Sequence, residues 1–487
     1  MISVEIAGVT IPQPDSVFVA GEWVPAGDAV HQIVSPATGQ PVAEVALPSG
    51  KHALSAVEAA RTAGMGSWAS LPVAARAEIC ARFCTALEGR LRDMETVWAV
   101  EAGMPVRYSK TLHRFAAVTA WQTALACAAE VLRDDVRSSP LGEVIVRREP
   151  AGVVVAVMAY NGPLVTMATK AIPALLAGCP VIVKAAIESQ LIMRIVADCA
   201  AGAGFPAGAL SILCGHAELG RQLTASPDVD MVSLTGGRAA AQQIIEATRP
   251  RLARTHLELG GKSPALILDD APVGSVLKSL VPGATSGTGQ VCAALSRVLV
   301  PEQRHDELAA ALTGAWRALV IGDPLDPATQ IGPVATPAVL DRTEQFISRA
   351  TAQGATVLAG GGRPAARTAG WYFEPTLITG VDRDSDLARN EVFGPVTALL
   401  SYRGLDDGID LANDTSYGLA ATVYTSDRDQ GLACARRIRA GSVAINTFGP
   451  ALTAPYGGVK GSGWGREAGP EGIAEFTELK QVLVGPI

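Results

Sequence analysis

The sequence predicts an α/β protein built on a doubly wound, largely parallel sheet, with a second α/β region and a small strand element beside it. Three observations carry that expectation. Short continuous apolar runs at 152–158, 180–183 and 210–213 have the composition of strands covered on both faces. Between them lie helix-length segments whose small and apolar residues recur every three or four positions. The chain has 487 residues, 48% of them hydrophobic and 18% charged, too many for one ordinary core, so two or three folded units are expected.

Taken in order, 18–23 and 35–40 read as short strands and turns, followed by helices over 51–65, 73–100 and 110–132. From Glu143 the pattern changes. A strand at 144–148 leads into an alternation: strand 152–158, helix 164–177, strand 180–183, helix 190–201, strand 210–213, helix 217–225, strand 230–234 and helix 238–248. The strand 256–259 closes on Gly260-Gly261. A second alternating region runs from Val273 to Asn446, with a helix at 273–285 and strands at 298–300, 356–358, 396–402, 420–424 and 442–445. Its further helices are expected at 306–319, 337–353, 405–413 and 428–438. The run 476–484 reads as a terminal strand, which needs an edge to pair with; a second subunit is expected to supply it.

Composition excludes several function classes. The net charge is −7 and no Lys/Arg run marks a nucleic-acid surface. Residues 1–12 lack the basic and apolar segments of a signal peptide, and the longest apolar run, near 151–160, is too short to span a bilayer. Eight cysteines scattered over this length are not a disulfide framework, which fits a reducing cytoplasm. Cys80 and Cys84 share a helix face, but no histidine or acidic cluster accompanies them, so no metal site is expected.

The chemistry-bearing stretch is Ser286-Gly287-Thr288-Gly289-Gln290-Val291-Cys292, a glycine-rich loop between a helix and a strand. A thiol there can ionise, and the thiolate is the nucleophile. Alone, Cys292 reads equally as a small buried hydrophobe. Three polar residues lie near strand ends, where ligands of α/β sheets collect: Glu258, Asn161 and Glu391. Singly these read as a solvated strand residue, a turn asparagine and a loop carboxylate.

Together, Gly289-Gln290-Val291-Cys292 with Ser296-Arg297, the segment 257–264, the segment 391–396 and the segment 455–467 resemble the aldehyde dehydrogenase superfamily, in order and over nearly the whole chain. The resemblance implies an aldehyde dehydrogenase-like fold: a Rossmann-like cofactor domain over 1–130 and 150–260, a catalytic domain over 261–461, and oligomerisation strands over 131–149 and 470–487. It implies a homodimer or homotetramer, the tetramer being favoured. The implied reaction is oxidation of an aldehyde to a carboxylic acid with NAD(P)+. Cys292 would form a thiohemiacetal, Asn161 and the Cys292 N–H would hold its oxyanion, and Glu258 would activate the water that hydrolyses the thioester. Lys170 and Glu467 resemble the family's supporting pair behind this site, a candidate proton route, with a surface lysine and a surface glutamate as the plain alternative. For NAD, the resemblance points to Thr235, Gly236 and Gly237 at the pyrophosphate, Lys184 at the adenosine ribose, and Glu391 with Phe393 at the nicotinamide ribose.

Departures from the family pattern qualify this. Gly237 replaces the usual serine, and Arg238 is expected to compensate with charge at the phosphates. Ala185-Ala186-Ile187-Glu188 places an acid one position late after Lys184, which admits NADP, although NAD is favoured. Gly162 and Thr169 stand where larger residues are common, so a roomy apolar channel for medium-chain, branched or aromatic aldehydes is expected. The competing readings are a coenzyme A-acylating relative, against which Glu258 argues, and a non-catalytic binding protein on the same scaffold. A phosphorylating type would need a histidine at Cys292; His256, a strand neighbour of Glu258, is the one histidine close in sequence to a site residue.

Overall fold

Five parallel strands form the centre of the larger sheet in this computed structural model, which describes residues 3–485. In spatial order they are Arg254–Glu258, Met231–Thr235, Val154–Val157, Val181–Ala185 and Leu210–Cys214. The antiparallel hairpin Ser16–Val19/Glu22–Pro25 extends one edge, and the two-residue strand Gly463–Trp464 caps the other. Alternate side chains enter two different cores. Val154, Ala156, Val181 and Val183 pack with Trp98, Trp121 and Leu175 on one face. Val155, Ile182, Val232 and Leu234 pack with Ala56, Leu223 and Ile244 on the other. Burial on both faces is why these strands read as unbroken apolar runs.

The second sheet has seven strands, in the order Thr356–Ala359, Thr376–Thr379, Val396–Tyr402, Arg297–Pro301, Pro264–Ile267, Ala420–Tyr424 and Ser442–Ile445. All pairs but the first are parallel. Arg297 is buried in it, and its guanidinium donates to the carbonyls of Lys262, Leu411 and Ala412, so three segments meet on one side chain. Two strands escape the sequence pattern. Pro264–Ile267 opens on a proline and follows a Gly-Gly-Lys turn, and Thr376–Thr379 is only four residues long.

Four expectations about elements need correction. The helix expected over 73–100 is two, Val73–Gly89 and Leu91–Ala102, interrupted beside Gly89, a poor residue for a helix interior. The helix expected over 164–177 is α-helical only at Pro163–Thr166 and Ile172–Ala177. Between them Met167–Ala171 widens to π geometry, because Pro173 cannot donate to the carbonyl four residues back. The segment 110–132 likewise carries a π stretch, Thr111–Ala117, inside it. Finally, the terminal strand needs no second subunit to supply its edge. Thr477–Val484 pairs antiparallel with Gly142–Pro150 of its own chain, in register from Thr477↔Pro150 to Val484↔Glu143, and Asp135–Ser139 completes a three-stranded sheet. The outermost positions of the expected ranges, 1–2 and 486–487, lie outside the described residues. Among the described residues no helix is long and apolar enough to cross a membrane.

Candidate active site

The carboxyl ends of the parallel strands point toward one region, as the fold requires of a ligand site. Lys184, Thr235 and Glu258 stand at or next to the last residues of their strands, and Asn161 lies in the turn after Val154–Val157. The cysteine loop reaches this region from the second sheet. After the helix Val273–Thr285 the backbone turns through left-handed conformations at Gly287, Thr288 and Gly289. At Gly289 a Cβ would lie 2.2 Å from the Gly394 carbonyl oxygen, so glycine alone permits the cysteine loop to close against the segment carrying Glu391 and Phe393.

Side chains then tie the loops together. Asn161 Nδ2 donates to the Gln290 carbonyl at 2.9 Å, two residues before Cys292. The Tyr160 hydroxyl donates to Gln290 Oε1 at 2.9 Å, and the same oxygen accepts from the Ala335 N–H at 3.0 Å. Tyr160 meets Phe393 edge to face, with ring centroids 6.1 Å apart. Glu391 Oε1 accepts from the Gly261 N–H at 3.1 Å.

Cys292 is half-buried and faces carboxylates rather than cations. Burial, then Glu391 and Glu258, push its thiol up to about 12, while a hydrogen bond from the Tyr456 hydroxyl pulls the other way. Burial and these carboxylates therefore favour the thiol over the thiolate. Burial holds the Glu258 carboxyl well above its usual range, with Glu467 adding to the effect, and Lys170, Arg466 and the Gly458 N–H opposing it. Burial also raises Glu391 to about 7.

Lys170 and Glu467 form a buried ion pair, not two surface side chains. Lys170 Nζ also donates to Ser233 Oγ at 3.1 Å, and Ser233 Oγ lies 2.9 Å from His256 Nδ1. Tyr456, Ser233 and Gln290 were not legible as site residues, and His256 was noted only as a strand neighbour of Glu258. Tyr456 sits inside a glycine-rich motif with nothing to mark its hydroxyl. Only the register that sets Ser233 opposite His256 exposes that pair, and only the contacts with Tyr160 and Ala335, from distant segments, expose Gln290.

The strand ends carrying Thr235 and Lys184 suit a dinucleotide. Thr235 Oγ1 is buried with no hydrogen-bond partner among the described residues. Gly237 caps the helix Arg238–Thr248 without a side-chain cap bond, and a Cβ there would meet nothing within 4 Å. Open space, an unpartnered hydroxyl and free N–H groups at a helix start fit a pyrophosphate. Lys184 is largely buried against the helix Ala217–Ala225 at Gly220, and burial lowers its pKa while Glu188 opposes the shift. Arg238 does not serve the phosphates. Its guanidinium stacks on Tyr417, 3.7 Å from the ring centroid, and donates to the Gly461 carbonyl and Ser416 Oγ at 2.9 and 2.8 Å. Those acceptors lie outside the turn, and they draw the side chain toward the second sheet.

A profile of the aldehyde dehydrogenase family matches residues 23–482. The chain belongs to the aldehyde dehydrogenase family. Its reaction is the family's, oxidation of an aldehyde to an acid with NAD(P)+. This aldehyde dehydrogenase is 37% identical to a geranial dehydrogenase from Castellaniella defragrans, over 96% of this chain and 98% of the relative. It superposes on an aldehyde dehydrogenase from Mycobacterium tuberculosis complexed with NAD+ at a TM-score of 0.94 and 37% identity, covering 96% and 98% of the two chains. A Pseudomonas syringae aldehyde dehydrogenase mutant complexed with NAD+ and octanal aligns at a TM-score of 0.91 and 32% identity, over 97% of each chain.

Proposed function

We propose that Cys292 is the nucleophile, Asn161 the oxyanion donor and Glu258 the general base of this aldehyde oxidation. The observation that carries the assignment is the meeting of three segments: Cys292 faces Glu258, and Asn161 is bonded to the peptide just before the sulfur. The Cys292 thiol gives up its proton to water as sulfur attacks the carbonyl carbon. The Asn161 amide and the Cys292 N–H donate to the oxygen that becomes negative. The chemistry that NAD+ supplies when bound is acceptance of the hydride leaving the tetrahedral carbon. The Glu258 carboxylate then takes a proton from a water that attacks the thioester, and the Cys292 sulfur leaves. Thr235, Gly236, Gly237 and Lys184 would hold the adenosine half of the cofactor, and Glu391 with Phe393 the nicotinamide ribose. Lys170 and Glu467 support Glu258 from behind. In the test, Cys292→Ala abolishes turnover, and Glu258→Gln forms the acyl-enzyme but hydrolyses it at least ~100-fold more slowly. A Cys292→Ala enzyme with full activity overturns the assignment.

NAD is favoured over NADP because the Glu188 carboxylate is near enough to Lys184 to act on its charge, which disfavours a further phosphate. The substrate class is medium-chain, branched or aromatic aldehydes. Beside Gly162, the nearest groups to an added Cβ are Val165 and Leu112, at 3.9 and 4.0 Å, both apolar. The geranial and octanal in the names of the relatives are apolar aldehydes of this kind. Comparing kcat/KM for hexanal, benzaldehyde and acetaldehyde with each cofactor tests both points; preference for acetaldehyde rejects the channel reading. The oligomer is a homotetramer joined through the three-stranded sheet, whose outer strand exposes Leu479 and Leu483. Eight unpaired cysteines fit a cytoplasmic location.

A further inference from the structure

His256 is wholly buried, and its Nε2 has no hydrogen-bond partner among the described residues. The atom it faces is in the same state: Glu258 Oε1, also buried and unpartnered, lies 3.9 Å away. The two residues are i and i+2 on one strand, so their side chains share a face. Which His256 nitrogen carries the proton follows from its other neighbour. The Lys170 ammonium can only donate, so Ser233 Oγ accepts from it. The Ser233 hydroxyl proton has no other acceptor among the described residues, so it goes to His256 Nδ1, 2.9 Å away, and that nitrogen is an acceptor. A neutral imidazole with Nδ1 accepting carries its hydrogen on Nε2, the side turned to Glu258. Packing holds the ring in this pose. A Cβ at Gly465 would lie 2.2 Å from His256 Cδ2, and the Phe476 ring meets the imidazole edge to face at 6.3 Å.

We propose that His256 is a positioning residue for hydrolysis of the thioester: held in one tautomer by Lys170 and Ser233, it donates Nε2–H to Glu258 Oε1, turning the carboxylate toward water and favouring its ionised form. The proposal rests on the assignment of Cys292 and Glu258 above. The 3.9 Å gap closes with a small rotation of the Glu258 side chain, as catalytic contacts commonly tighten once substrate is bound. His256 itself stays neutral, since burial and the charges of Lys170, Arg466 and Arg254 around it all oppose a second proton. It therefore acts as a fixed donor between those three cations and Glu258, while Glu467 pairs with Lys170.

A cofactor-free assay isolates this step. An activated ester such as p-nitrophenyl acetate acylates a nucleophilic thiol and releases p-nitrophenol in a burst; the steady phase that follows reports hydrolysis of the acyl-enzyme. The comparison is between wild type, His256→Leu, His256→Gln and Ser233→Ala, from about pH 5.5 to 9. His256→Leu is expected to keep the burst within about twofold and to slow the steady phase about tenfold, with its acidic limb moved to higher pH, because a donor to the carboxylate has been lost. His256→Gln, which keeps a donor near the Nε2 position, is expected to recover the steady phase to within about threefold. Ser233→Ala frees the tautomer and is expected to move the limb in the same direction, by less. A His256→Leu enzyme with the wild-type steady phase and limb overturns the proposal alone. So does an unmoved limb in Ser233→Ala if His256→Leu does not fold. Absence of any burst in wild type overturns the Cys292–Glu258 chemistry and this assignment with it.

Discussion

Burial lifts the Glu391 carboxyl from its ordinary 4.5 to about 7, against the pull of the Gly261 N–H. A group placed to accept from ribose hydroxyls accepts best as a carboxylate. Below about pH 7 Glu391 is mostly protonated, and above it mostly ionised. NAD+ affinity, measured by calorimetric titration, is therefore expected to rise several-fold between about pH 6 and 8, and to be flat in Glu391→Gln. Tyr160 offers a second test. Tyr160→Phe removes the bond to Gln290 Oε1 but leaves that oxygen its bond from Ala335, so the stability loss should be about 1 kcal/mol by chemical denaturation. Its kcat should fall more than its KM changes, because the loops carrying Asn161 and Cys292 lose their shared clasp. At this scale the positions of Cys292, Glu258, Asn161 and Glu391 were legible, since each sits in a motif beside a strand end. Protonation was not. The thiol's state depends on carboxylates contributed by separate segments, which no local window contains. Arg238 was misread for a similar reason, because its partners Tyr417, Ser416 and Gly461 are remote in sequence.

The decisive contact between elements is that of the cysteine loop with the Glu391–Phe393 segment, made at Gly289. Its φ of +71° and the carbonyl 2.2 Å from a would-be Cβ leave no room for a side chain. Gly289→Ala should destabilise the fold by about 1–3 kcal/mol and lower kcat/KM by more than that loss explains, since both halves of the site shift. Circular dichroism melts and steady-state kinetics on one preparation separate the two effects. Elements were legible where they were long and periodic, as with the helices Gln190–Ala201 and Val273–Thr285. The π turn Met167–Ala171 was not. Pro173 announces a disturbance, but whether the chain kinks, breaks or widens is decided by the surrounding core, and here widening keeps Lys170 buried against Ser233.

For the molecule as a whole, strand–helix alternation revealed two α/β regions and divided most strands correctly between their sheets, but it missed two strands of the second. Pro264–Ile267 and Thr376–Thr379 are too short to announce themselves, so the second sheet looked smaller than it is. The three-stranded sheet leaves Leu479 64% and Leu483 47% exposed on one face of its outer strand, an apolar pair that a second copy would cover. Leu479→Lys with Leu483→Lys should therefore lower the mass measured by light scattering to that of a smaller assembly, with the near-ultraviolet circular dichroism of the subunit kept. An unchanged mass would place the subunit contact elsewhere.

The ion pair between Lys170 and Glu467, and the pairing of Thr477–Val484 with Gly142–Pro150, join stretches synthesised far apart in time. While translation continues, the nascent polypeptide carries Cys292 without Tyr456 at its sulfur and Lys170 without its counter-ion. A message cut short before Glu467 thus yields an inert product with a buried, uncompensated ammonium, one that quality-control proteases should clear rather than a partially working enzyme.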